Sequence, residues 1–247
     1  MKSRLDAEMA RRGFADSRES ARRLVMAGRV RVNSRPAEKP DMRVEADTPI
    51  EVMPGGPEYA SRGAYKLIGA LDHFKVDVAG RHALDVGASN GGFTDVLLTR
   101  GAAKVIALDV GYGQLAMRLR SDARVIVRDR TNIRHVVPGD LPYRPDLIVI
   151  DVSFISLRLV LPAALALSAA AAEIIALIKP QFEVGKGKVG KGGIVRDEAL
   201  RREAVEGILG YARELGLEVA EAIESPIEGA EGNREFLALM KIIGAAH

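Results

Sequence analysis

The residues best placed to do chemistry stand where apolar runs stop. Ile174 to Ile178 is a continuous apolar run that ends in Lys179 and Pro180, a poor site for a charge that merely faces water. The run Leu147 to Ile150 ends in the same way in Asp151, and Glu235 directly precedes the largely apolar run Phe236 to Ile242. Lys66 lies in a helical pattern ahead of all three. Lysines and carboxylates so placed can hold and move a proton at a reacting group. The competing reading is a structural ion-pair cluster, which such residues usually form; the strand-end positions favour chemistry. The sequence has no cysteine, which excludes thiol nucleophiles, thiolate metal sites and disulfides.

A second constellation could hold a cofactor. Ala83-Leu84-Asp85-Val86-Gly87-Ala88-Ser89-Asn90-Gly91-Gly92-Phe93 is an apolar strand running into a glycine-rich turn, with a helix expected from about Thr94. Glycines let the backbone approach a ligand closely. A nicotinamide dinucleotide would want G-x-G-x-x-G, so that its pyrophosphate sits on a helix N-terminus; the turn here is G-x-x-x-G-G. The next strand carries Ala107-Leu108-Asp109, whose carboxylate can accept both ribose hydroxyls of an adenosine. The combination points to S-adenosylmethionine. The expected cofactor-binding set is Asp85, Gly87, Ala88, Ser89, Gly91, Gly92, Phe93 and Asp109, with Thr131 and Asn132; no metal site is expected. Among methyl acceptors, base chemistry loses support. Carbon methylation of cytosine needs a cysteine, and Asp151-Val152-Ser153-Phe154 is not the N/D-P-P-Y/F that clamps an exocyclic amine.

The elements that must position these groups read as an α/β, doubly wound, Rossmann-like methyltransferase sheet. The expected strands are His82 to Val86, Val105 to Val110, Val125 to Val127, Leu147 to Asp151, Ile174 to Ile178, Val219 to Ile223 and Phe236 to Ile242, and a helix over Ala64 to Phe74 precedes them. Asp151 and Lys179 then fall on the carboxyl edge, where ligands bind. An antiparallel last strand would bring Glu235 to that edge. The alanine-rich stretch Leu159 to Ala172 contains Pro162, stops at Glu173 and falls short of the ~20 apolar residues of a membrane span. It reads as a buried helix. The N-terminus lacks a secretion signal, so a cytoplasmic location without membrane attachment is expected.

The chain begins with a different kind of unit. A helix from Leu5 to about Arg12 stops at Gly13, and a second is opened by Asp16 with Glu19 as a capping box and ends at Gly28. Val30 to Val32 and Ile50 to Val52 supply a small sheet. Arg4, Arg11, Arg18, Arg22 and Arg29 lead a crowd of arginines, whose flat fork suits bidentate phosphate contact. A solvated helix face is the alternative; nucleic-acid binding is preferred because the cations sit on adjacent elements of so small a unit. Gly185 to Lys191 matches G-x-x-x-x-G-K, yet Gly192 replaces the hydroxyl that would hold magnesium. Lys186, Lys188 and Lys191 therefore read as a basic RNA-touching loop. The expected layout is a small α+β RNA-binding domain over 1–53, a linker over 54–61 built on Pro54-Gly55-Gly56-Pro57, and the methyltransferase domain over 62–247.

The first unit, through Arg4-Leu5-Asp6, Ser17 to Ala21, Gly28 to Asn33 and Lys39-Pro40, resembles the RNA-binding module named after ribosomal protein S-four, with Ser34 where that module usually has glycine. Ser61 to Leu67, Asp85 to Asp95, Asp109 to Leu115, Asp151 to Leu157 and Lys179 to Gly185 resemble the TlyA family, which is similar to FtsJ-type 2′-O-ribose methyltransferases. Asn90 stands where threonine is common in that family's turn. The resemblance implies a Lys-Asp-Lys-Glu catalytic tetrad at Lys66, Asp151, Lys179 and Glu235. It also implies methylation of a cytidine ribose in ribosomal RNA. A neutral Lys179 could take the hydroxyl proton: the sulfonium and Lys66 favour its neutral form, Asp151 and Glu235 oppose it, and alignment alone could supply much of the rate. The sequence stops directly after the last expected strand, without the extra C-terminal helix that accompanies dual-subunit activity in longer relatives, so the large subunit is the expected target. No obligate protein partner is expected. The family has also carried the name haemolysin, and a membrane-active protein is the alternative from another class; neither a spanning segment nor a secretion signal supports it.

Overall fold

The computed structural model describes residues 2–53, 59–185, 187–190, 192–229 and 232–242. The chain divides into two compact units, Met1–Tyr65 and Lys66–His247.

The first unit holds β1 (Ser3–Arg4), α1 (Leu5–Arg11), α2 (Arg18–Met26), β2 (Val30–Val32), β3 (Arg35–Pro36), β4 (Arg43–Val44) and β5 (Ile50–Val52). Leu5 and Met9 on α1 and Ala21 and Val25 on α2 are spaced four apart, so each helix turns one stripe inward, onto Val30, Val32 and Ile50. β2 alternates buried, exposed, buried between β3 and β5, and β1 pairs with β4. The start of α2 differs from expectation. Ser17, not Asp16, is the N-cap, accepting a hydrogen bond from the Ser20 backbone N–H at 3.1 Å. Asn33 and Ser34 join β2 to β3 with φ of 51° and 63°, the double left-handed turn that matches the twist of a hairpin.

The second unit is built on one sheet. After α3 (Ala64–Phe74) come β6 (His82–Val86), α4 (Gly92–Thr99), β7 (Lys104–Leu108), α5 (Met117–Arg120), β8 (Val125–Arg128), β9 (Leu147–Ile150), α6 (Leu157–Leu167), β10 (Glu173–Ile178), α7 (Pro180–Glu183), α8 (Glu198–Glu214), β11 (Leu217–Val219), β12 (Ile223–Glu224) and β13 (Phe236–Ile242). The strand order is β11-β13-β10-β9-β6-β7-β8, with β12 also on β13. The strands β6 to β10 run parallel to one another, and β13 is antiparallel to β10, β11 and β12. The chain leaves β6 toward β7 and β8, then returns to its other side at β9. The crevice between β6 and β9 is thus a topological switch point, where open α/β sheets bind ligands.

The expected strand Val219 to Ile223 is two strands. Val219 pairs with Met240, but Leu237 pairs with Ile223, so the β11–β12 side carries one extra residue and bulges. The expected buried helix starts earlier, at Leu157 behind the Ser156 cap, and ends at Leu167. All of β9 is buried, as suits a strand covered on both faces. Among the described residues no helix is long and apolar enough to cross a membrane.

Candidate active site

The sheet register brings the chemistry to one edge. Ile150 lies level with Val86 and with Ala176, and Val86 with Leu108, so Gly87, Asp109 and Asp151 leave their strands side by side. Phe236 pairs with Ile178 in the antiparallel direction, which sets Glu235 beside Lys179.

The glycine turn is shaped by close approach. Gly87 has φ of 86°, and a Cβ there would come within 2.3 Å of the Asp151 carbonyl oxygen. Gly91, at φ of 95°, would drive a Cβ into Leu119 and Leu115. Only glycine fits either position. Asp109 accepts the Ser89 backbone N–H at 2.8 Å on one carboxylate oxygen and the Gly111 N–H at 2.7 Å on the other. Each oxygen keeps a lone pair for a further donor. The switch-point crevice is a cavity of about 510 Å³ lined by Gly87, Ser89, Asp109, Thr131, Asn132 and Asp151 among others. That volume lies within the range of cofactor sites.

Not every expected cofactor residue faces this space. Ala88, Gly92 and Phe93 are buried, and with Asp85 and Gly91 they form the support beneath the turn rather than the cavity wall. Asp85 is fully buried; its Oδ2 accepts the Thr94 hydroxyl at 2.6 Å, while Oδ1 has no partner. Burial pushes its pKa up to about 7, the Thr94 hydrogen bond opposes this, and the charge of Asp151 adds to the rise.

The two lysines and two acids form two ion pairs. Lys66 Nζ donates to Glu235 Oε2 at 2.5 Å, with both side chains buried. Lys179 Nζ lies 2.6 Å from Asp151 Oδ1 and donates to Ser153 Oγ at 3.0 Å. Asp151 and Ser153 line the cavity, and Lys179 stands directly behind them. Glu235 is crowded: a Cβ on Gly229 would come 2.0 Å from its Oε1. Such an edge can position a hydroxyl and take its proton next to a bound donor.

Residues 59–242 match the family described as FtsJ-like methyltransferase, and residues 3–50 match the S4 domain. The chain is 49% identical over 241 residues to the 16S/23S rRNA (cytidine-2′-O)-methyltransferase TlyA of Mycobacterium tuberculosis, covering 97% of this chain and 90% of that protein. The chain belongs to the TlyA family of FtsJ-like methyltransferases. The 23S rRNA (cytidine-2′-O)-methyltransferase TlyA of Campylobacter jejuni is 38% identical over 181 residues, 72% of this chain and 69% of that one. A solved structure from Streptococcus thermophilus, described as a candidate hemolysin, superposes with a TM-score of 0.76 at 39% identity over 98% of this chain and 88% of its own.

As an FtsJ-like methyltransferase the chain draws its methyl group from S-adenosylmethionine, the donor that the turn and Asp109 indicated. The residues present fit that molecule: a cradle closed to any Cβ at Gly87, and a carboxylate at Asp109 with acceptor capacity to spare. When bound, the donor supplies an electrophilic methyl group.

In the N-terminal unit Arg4, Arg11, Arg18 and Arg29 of the expected arginines have partners. Arg4 makes a two-bond contact with the buried Asp6 at 3.0 and 2.8 Å, and Arg18 approaches the same carboxylate at 3.6 Å. Arg11 is paired with Glu8, whose carboxyl is lowered to about 2, chiefly by that guanidinium. Arg29 donates to the Met53 carbonyl at 3.1 Å, and Arg22 is exposed. Lys188 lies 3.1 Å from Glu203, whereas Lys186 and Lys191 lie outside the described residues. Sequence reasoning missed Gln114, Ile133, Ser153 and Ile155 on the cavity wall. Gln114, Ser153 and Ile155 carried a signal, lying within the Asp109 to Leu115 and Asp151 to Leu157 segments, whereas Ile133 carried none.

Proposed function

We propose that this protein transfers a methyl group from S-adenosylmethionine to the 2′-hydroxyl of a cytidine in ribosomal RNA of the large subunit. The observation that carries the reading is the placement of two lysine–carboxylate pairs, Lys66–Glu235 and Lys179–Asp151, at the sheet edge that bears the cofactor cavity. The relatives named as cytidine-2′-O methyltransferases support the choice of acceptor, and the large subunit's 23S rRNA is common to both.

A ribose hydroxyl is a weak nucleophile. The 2′-oxygen must gain the methyl group and lose its proton, and Lys179, beside Asp151 at the cavity edge, is the proposed acceptor once its own amine has given up a proton. Asp151 and Ser153 orient the Lys179 amine, and Glu235 fixes Lys66. In-line alignment of oxygen and methyl group supplies much of the rate.

The domain over 1–53, joined through 54–61 to the catalytic domain over 62–247, would grip RNA phosphates with Arg4, Arg11, Arg18, Arg22 and Arg29, and the loop lysines Lys186, Lys188 and Lys191 would add contacts from the catalytic domain. Such a role suits a cytoplasmic protein that meets ribosomal subunits. Incubation of the protein and labelled S-adenosylmethionine with separated subunits, followed by mapping of the modified nucleotide, tests the proposal. Equal labelling of the small subunit would overturn the subunit choice, and labelling of a base would overturn the chemistry.

A further inference from the structure

Two short segments carry the Lys179–Asp151 pair, and they are fastened at both ends. Asp151 to Leu157 follows β9, and its first five residues form part of the cofactor-cavity wall. Lys179 to Glu183 follows β10, Lys179 standing as the cap of α7. At one end Lys179 bonds Asp151 and Ser153 at 2.6 and 3.0 Å. At the other, the Glu183 carboxylate accepts the Ser156 hydroxyl at 2.6 Å on Oε2 and the Leu157 backbone N–H at 2.9 Å on Oε1. Between the two, the rings of Phe154 and Phe182 meet at 5.2 Å. The middle of the first segment is under load: Phe154 holds a left-handed φ of 63° and is 91% exposed. A non-glycine residue stays in that region only where its surroundings over-determine it.

Glu183 does not line the cofactor cavity. It faces a separate space of about 180 Å³ with Arg158 and Lys188, off the wall of the cofactor cavity. It instead caps the first turn of α6, where a carboxylate is favoured by the unpaired N–H groups. Cutting that contact would remove the tie at one end and leave the Lys179 contacts and the ring pair to hold the Asp151 segment to its neighbour. Strain at Phe154 would then relax at the expense of the Lys179–Asp151 geometry.

We propose that Glu183 is a positioning residue for methyl transfer, holding the Asp151–Leu157 segment against the Lys179–Glu183 segment so that Lys179 and Asp151 keep their register. The inference rests on the proposed reaction for its kinetic test and on the fold alone for its structural one. Glutamine at this position keeps both contacts, its carbonyl accepting from Leu157 and its amide donating to a turned Ser156 hydroxyl. Alanine loses both.

Glu183→Ala and Glu183→Gln are compared with wild type by hydrogen exchange without RNA and by methyl transfer to large-subunit RNA. In Glu183→Ala, amides of residues 156–158 should exchange about tenfold faster. Its kcat should fall on the order of 10- to 100-fold, the scale of a small misplacement at a reacting centre, with KM for RNA nearly unchanged. Glu183→Gln should restore both readouts to within about threefold. Unchanged exchange and kcat in Glu183→Ala would overturn the proposal. So would equal losses in both variants together with a fall in melting temperature, which would make Glu183 a structural support only. If wild type itself leaves that RNA unmethylated, the proposed substrate falls, and the exchange rates still decide the clamp.

Discussion

Replacing Asp85 with asparagine should remove a stability penalty that the carboxyl imposes at neutral pH and not in acid, so that the variant gains on wild type as pH rises. Asp85 is fully buried, one oxygen bonded to Thr94 and the other without a partner, and its pKa is pushed up to about 7 from an ordinary 3.8. Below pH 3.8 the folded and unfolded chains both carry the proton, and the group imposes no penalty. As pH rises toward 7 the unfolded chain releases that proton while the folded chain retains it, so stability falls through this window and levels off above about 7. The span from 3.8 to about 7, at 1.36 kcal/mol per pH unit, corresponds to about 4 kcal/mol. Asparagine keeps an acceptor for Thr94 but buries an unmatched amide N–H, which costs about 1–3 kcal/mol at every pH. That constant cost cancels when pH values are compared. Urea unfolding followed by circular dichroism at about pH 4.5 and 7.5 should therefore show the variant gaining about 2–3 kcal/mol on wild type between the two. Parallel stability profiles would refute the argument, because they would mean that Asp85 titrates as it does in the unfolded chain.

The other expectations concern the site and the RNA. Asp109→Ala removes the acceptor for two backbone N–H groups and, in its proposed role, for the cofactor ribose, and calorimetry should show S-adenosylmethionine binding weakened by at least about tenfold. Lys179→Ala and Asp151→Ala should each lower methyl transfer by on the order of 10²- to 10⁴-fold with an unchanged circular dichroism spectrum; activity surviving in both would remove the tetrad from the chemistry. Gly87→Ala should cost about 2–4 kcal/mol in unfolding experiments, because the added Cβ meets the Asp151 carbonyl at 2.3 Å in a left-handed backbone. Arg18→Glu combined with Arg22→Glu should weaken RNA binding and flatten its salt dependence while cofactor affinity holds; equal affinity at all salt concentrations would make those arginines a solvated face.

What could be read from the sequence follows from how local each signal is. β6, α3 and β13 carry apolar patterns strong enough to survive an occasional polar residue, and were found with the expected bounds. β1 and β3 are two residues each, too short for a period to show, and they exist because a partner strand pairs with them. Ser17 and Asp16 are both good caps, and only the observed hydrogen bond to Ser20 distinguishes them. The strand-end lysine and acids were legible because charge interrupts apolar runs. Their pairing was not, since nothing in the order of residues says that Lys66 meets Glu235 rather than Asp151. Glu183 was invisible for a related reason: its meaning lies in Ser156 and Leu157, on another segment.

The Lys66–Glu235 contact joins residues 169 positions apart. A contact of that span forms only after the intervening strands have assembled, because closing so long a loop is not compensated until they do. Half of the proposed tetrad therefore depends on the assembly of the whole sheet. A partly folded chain could already own its glycine turn and hold a cofactor, yet Lys66 would be without its carboxylate. Refolding experiments should accordingly show cofactor binding returning first and catalytic competence last, so that immature molecules sequester methyl donor without spending it.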